Sequence, residues 1–78
     1  MNVSSILVVE DDEGLRSLLR RLLSQEGRQV TVVGSGQEAI RTAQEIPVDV
    51  LVTDLKLPDI DGLAVLERIL QIDPKVIG

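Results

Sequence analysis

Neither cysteine nor histidine occurs anywhere in the sequence. Without cysteine there is no disulfide frame, no thiolate nucleophile and no cysteine-type zinc site. Without histidine, Ser-His-Asp and Cys-His catalysis and imidazole metal ligation are excluded. Phenylalanine, tyrosine and tryptophan are absent too, which removes the stacking platforms that hold single-stranded nucleic acids. Positive charge is scarce: 8 Lys and Arg stand against 13 Asp and Glu, for a formal net charge of −5. Such a chain repels nucleic-acid phosphates and anionic lipid surfaces, so neither is an expected partner. The longest apolar run, Ile6-Leu7-Val8-Val9, is far too short for a membrane span or a signal-peptide core. The expected location is therefore cytoplasmic.

What remains is a chain of 78 residues, 44% apolar and 27% charged, the balance of a globular domain and not of a disordered one. Its chemistry must run on carboxylates, hydroxyls, Lys or Arg, and any metal must be a hard, oxygen-preferring cation. No linker, charge block or low-complexity stretch divides it, so a single domain over 1–78 is expected.

Short aliphatic runs alternate with helical patterns, the mark of a parallel α/β sheet. Ile6-Leu7-Val8-Val9 reads as a central strand covered on both faces. Leu15, Leu18, Leu19, Leu22 and Leu23 follow at helical spacing as one apolar stripe, with Arg16, Ser17, Arg20, Arg21 and Gln25 opposite. Asp12 can cap that helix and Gly27 can stop it. Val30-Thr31-Val32-Val33 reads as a second strand, its threonine suiting an edge. Ser35 and Glu38 form a capping box for a helix that Pro47 closes, with Ala39, Ile40, Ala43 and Ile46 as its apolar side. Val50-Leu51-Val52 is the third strand, and Asp61 is placed to cap a third helix running to about Ile72. Leu63, Leu66 and Leu70 line one side of that helix and Val65, Ile69 and Ile72 an adjacent one. Lys75-Val76-Ile77 looks like the start of a fourth strand.

Right-handed crossovers restrict the winding. If strands one and three are neighbours and strand two lies outside strand one, the winding reverses between one and three. Ligands bind at such reversals, outside the carboxyl ends of the strands. Asp11 and Asp12 end strand one and Asp54 ends strand three. With strands roughly 4.8 Å apart, three carboxylates would converge on one crevice, an arrangement that calls for a cation or a proton. Magnesium suits it, since it needs only one or two carboxylates and keeps water. Each aspartate alone could equally be a helix cap.

Glu10-Asp11-Asp12 after an apolar strand, Gly36-x-Glu38-Ala39 opening the second helix, and Asp54-Leu-Lys-Leu-Pro58-Asp-Ile-Asp61-Gly62 together resemble the receiver domain of two-component response regulators. The resemblance implies a flavodoxin-like parallel sheet with helices on both faces, in order 2-1-3-4. Three βα units and the start of a fourth strand are present out of the family's five, so an incomplete domain is expected. It further implies that Asp54 accepts a phosphoryl group from a sensor histidine kinase or phosphotransfer protein. Asp12 would then be a direct Mg2+ ligand, Asp11 a ligand through water, and the backbone carbonyl of Lys56 a further ligand. Such a domain is a signalling switch and not a turnover enzyme. The family's strand-four hydroxyl, strand-five lysine and aromatic switch residue have no counterpart here, which leads us to expect impaired phosphorylation.

Three rival readings stand beside this one. Gly34-Ser-Gly36-x-x-Ala39 after a strand, with Asp54 twenty residues beyond Gly34, matches a dinucleotide-binding fingerprint. An aspartyl-nucleophile phosphatase would want an acid two positions after Asp54, where Lys56 stands. A half-domain that serves only to associate with another chain follows from the small size and the incomplete sheet edge. Lys56, Arg16 and Arg20-Arg21 are expected on solvated faces.

Overall fold

A run of β-branched and aliphatic residues favours extended backbone and fits a strand buried on both faces, and Ser5–Val9 forms the central strand β1. The computed structural model describes residues 5–53, 57 and 59–73. Glu13–Leu23 follows as helix α1, a 3-10 turn covers Gln25–Gly27, and Gln29–Val33 forms β2. Gly36–Glu45 is α2, Val50–Thr53 is β3 and Gly62–Ile72 is α3. The sheet is parallel in the order β2-β1-β3. Val9 of β1 pairs with Val33 on one side and Thr53 on the other. The expected winding reversal is present, and β2 is the edge that its threonine suggested. The proposed fourth strand lies outside the described residues.

Each helix starts where its capping residue predicts. Asp12 accepts from Leu15 N–H at 2.9 Å, Ser35 Oγ from Glu38 N–H at 3.2 Å, and Asp61 from Ala64 N–H at 2.8 Å, each satisfying one of the orphan amides of a first turn. Gly27 does not stop α1, which ends four residues earlier. Ser24 closes that helix, its amide bonding to Arg20 O, and Gly27 ends the short turn beyond with φ 78°, a conformation glycine adopts without strain.

Leu7, Val9, Val33 and Leu51 from the sheet meet Ala39 of α2 and Val65 and Ile69 of α3 in one core. Alternation along the strand turns Ile6 and Val8 to the opposite face, where right-handed crossovers put α1. The two sides are unequally covered. On the core side Leu7, Ala39, Val65 and Ile69 are wholly inaccessible. On α1 no residue is buried, and Leu15, Leu18 and Leu22 are 40%, 45% and 51% exposed. The α1 stripe is therefore not the buried face its periodicity suggested: the helix rests against β2, with only Leu19 and Leu23 of its leucines half-covered. Leu63 of α3 is likewise exposed, at 60%.

Candidate functional site at the carboxyl ends of the strands

The described part of the site begins one residue beyond β1. Glu10 N–H donates to Val33 O at 3.0 Å, prolonging the ladder, so Glu10 is held as firmly as the strand itself. It is buried, at 8% exposure. A buried carboxylate is costly without compensation. Glu10 Oε2 accepts the Asp12 N–H at 3.2 Å, and no cationic side chain among the described residues reaches that carboxylate. Asp11 is exposed, with no hydrogen-bond partner among the described residues. Asp12 is committed to α1, its Oδ1 accepting the Leu15 amide.

Arg16 does not lie on a solvated face. It is half-buried, and its guanidinium reaches back to donate to Glu10 O at 2.9 Å. Gly34 makes the room, since a Cβ there would stand 3.0 Å from Arg16 Nη1. The β1–α1 turn is thus tied from two sides, by the cap of Asp12 and by this arginine.

Asp54 and Lys56 lie outside the described residues, so the carboxylate trio is not gathered among the described residues, nor is any other group of three potential metal-ligating side chains. The strand ends that lead to the site are described. Val9 and Thr53 are partners across β1 and β3, and the residues that follow them in sequence are Glu10-Asp11 and Asp54.

On the β2 side, the N-terminus of α2 is closed off. Asp59 accepts from the amides of Gly36 at 3.0 Å and Gln37 at 2.8 Å. These bonds, the one from Gln37 foremost, hold the Asp59 carboxyl below the usual aspartate range, against an opposing desolvation. With Ser35 on the Glu38 amide, the first-turn amides that a pyrophosphate would need are occupied. The dinucleotide reading fails on that ground. Its glycines serve other ends: Gly34 admits Arg16, and Gly36 admits Ile60 and Val65.

Glu10 and Asp59 are the residues that the sequence reading passed over as site elements. Glu10 stands in the acidic run, but its burial depends on the neighbouring strand. Asp59 meets partners more than twenty residues away, and no local pattern announces that contact.

The family described as response regulator receiver domain matches residues 6–77. The chain belongs to that family. The receiver is 43% identical over 68 residues to the transcriptional regulatory protein TrcR of Mycobacterium tuberculosis, spanning 87% of this chain and 26% of TrcR. It superposes on the receiver domain of the hybrid histidine kinase CckA with TM-score 0.87 and 33% identity, covering 94% of this chain and 69% of that one. With response regulator TrrA of Thermotoga maritima, solved with Mg2+ and BeF, the TM-score is 0.84 and the identity 30%, covering 92% and 63%. The receiver thus spans about a quarter of TrcR. The flavodoxin-like architecture is that of these neighbours. Among the described residues no helix is long and apolar enough to cross a membrane.

Proposed function

We propose that this receiver takes up a phosphoryl group on Asp54 from a sensor histidine kinase or phosphotransfer protein, and that it acts as a cytoplasmic signalling switch. The observation that carries the reading is the register of β1 against β3. Because Val9 partners Thr53, the chain leaves both strands at one rim, and the acidic residues next in sequence are Glu10-Asp11 and Asp54.

In the step itself, an Asp54 carboxylate oxygen attacks phosphorus of the donor phosphohistidine. The P–N bond breaks as the new P–O bond forms, the imidazole leaves with the bonding pair, and an acyl phosphate results. Positioning and charge neutralisation supply most of the acceleration in such transfers. Mg2+, when bound, would supply charge neutralisation at the transferring oxygens.

The donor set fits that ion: hard carboxylate oxygens at the end of β1, one carboxylate buried with no cationic partner among the described residues and one exposed and unengaged among them. We assign the metal to Asp11 with Asp54 and the Lys56 carbonyl, and give Glu10 a supporting share. Asp12, expected from sequence as the direct ligand, has one oxygen already engaged by the α1 cap, so its contribution is the lesser.

Incubation with acetyl phosphate and Mg2+ followed by intact mass tests the reading. One phosphoryl adduct is expected, lost in Asp54→Ala, strongly reduced in Asp11→Asn and largely kept in Asp12→Asn. Absence of an adduct on the folded wild-type chain would leave the association-only reading. Undiminished labelling of Asp54→Ala would overturn the acceptor assignment.

A further inference from the structure

The contact between Asp59 and α2 is more than a helix cap. An ordinary cap comes from the residue that opens the helix, and α2 already has one in Ser35. Asp59 arrives from the stretch just before α3, the helix that packs beside α2 in the same core, and takes the two amides that Ser35 leaves open. The junction is closely fitted. A Cβ on Gly36 would collide with Ile60 Cγ1 and stand 2.8 Å from Val65 Cγ2, so the loop packs directly on the backbone where α2 begins. Ile60 is half-buried there and joins the core from its margin.

We propose that Asp59 is a positioning residue that latches the approach to α3 onto the N-terminus of α2, so that the sequence carrying Asp54 is anchored at Asp59 on one side and at Thr53 on the other. Thr53 is held by the pairing of β3 with β1, and Asp59 by two charge-assisted bonds to backbone amides, which are stronger than neutral ones. The lowered acidity range of Asp59 agrees with a carboxylate held in its charged form by those amides. The latch spans elements that pack together through α2 and α3, so it refers the loop to the rigid core and not to solvent. For phosphoryl transfer this matters, because small misplacements of reacting groups cost large factors in rate. The inference rests on the proposed acceptor role of Asp54 for its consequence, and on the Asp59–α2 geometry for its existence.

The experiment measures amide hydrogen exchange and acetyl phosphate labelling on the full chain, as wild type, Asp59→Asn and Asp59→Ala. In Asp59→Ala, exchange is expected to rise at Gly36, Gln37, Leu57 and Ile60. Labelling is expected to slow about tenfold, with a higher Mg2+ requirement and a cooperative melt kept at a modestly lower midpoint. Asp59→Asn, which keeps one acceptor, should fall between. Unchanged exchange at Gly36 and Gln37 overturns the latch. Raised exchange there with Leu57 and Ile60 undisturbed, or with labelling at the wild-type rate, reduces it to a cap and overturns the positioning role. If the wild type fails to label, the acceptor reading fails alone, and exchange at Leu57 and Ile60 still decides whether Asp59 holds the loop.

Discussion

At Gly36 a single hydrogen atom stands where any other residue would carry a carbon. A Cβ there would be 2.8 Å from Val65 Cγ2 and 2.9 Å from Ile60 Cδ1, and Val65 is wholly buried. Val65 cannot yield without moving the α3 packing. Gly36→Ala is therefore expected to destabilise by about 1–3 kcal/mol despite alanine's better helix propensity, as read by thermal or urea unfolding. The same turn carries a pH dependence. Asp59 has a lowered folded pKa, so its contribution is complete above the unfolded aspartate value near 3.9 and is lost as pH falls through the lower folded value. The stability difference between wild type and Asp59→Asn should then be constant near neutrality and vanish in acid. A difference that persists in acid would show that the charge is irrelevant there. At Asp12, Asp12→Ala should cost about 1 kcal/mol through the lost cap, while Asp12→Asn, which can still accept the Leu15 amide, should cost far less.

The elements differ in how much of them could be read from sequence. The strands were legible because Ile6-Leu7-Val8-Val9 and Val50-Leu51-Val52 are uninterrupted, and helix starts because Asp12, Ser35 and Asp61 cap within their own turns. Local chemistry suffices for both. The exposure of α1 was not legible. Periodicity says which side of a helix is apolar but not what covers it, and Leu15, Leu18 and Leu22 remain open to solvent. Arg16 was read as a solvated charge for a similar reason, since its bond to Glu10 O depends on how the β1–α1 turn folds back. The Asp59 contact needed tertiary packing between chain segments far apart in sequence. The two helices should respond oppositely to substitution. Ile69→Ala, in the wholly buried face of α3, should cost roughly 2–5 kcal/mol. Leu18→Gln should stay within about 0.5 kcal/mol of wild type. Comparable losses at both sites would mean that the α1 stripe is covered in solution.

For the molecule as a whole, the radius of gyration of 11.6 Å matches the value of about 11.5 Å for a compact chain of this length, and the wholly inaccessible residues Leu7, Ala39, Val65 and Ile69 lie on the α2–α3 side. The α1 side is where the whole is weakest. Leu15, Leu18 and Leu22 are exposed there, and Val52 is 39% exposed on the same sheet face as Val8, its partner in the ladder. Apolar surface on one side of a small domain favours covering by another protein surface. A stripe at helical spacing can pack against its own copy about a two-fold axis. The net charge of −5 opposes such pairing and is screened by salt. Self-association is therefore expected to rise with both protein concentration and ionic strength. Analytical ultracentrifugation should show this in the wild type, and Leu18→Glu with Leu22→Glu should abolish it while leaving the urea midpoint nearly unchanged. A wild type that stays monomeric at high concentration and high salt would rule the α1 face out as a self-association surface. Association that persists in the double variant would shift the contact to the β3 side of the sheet.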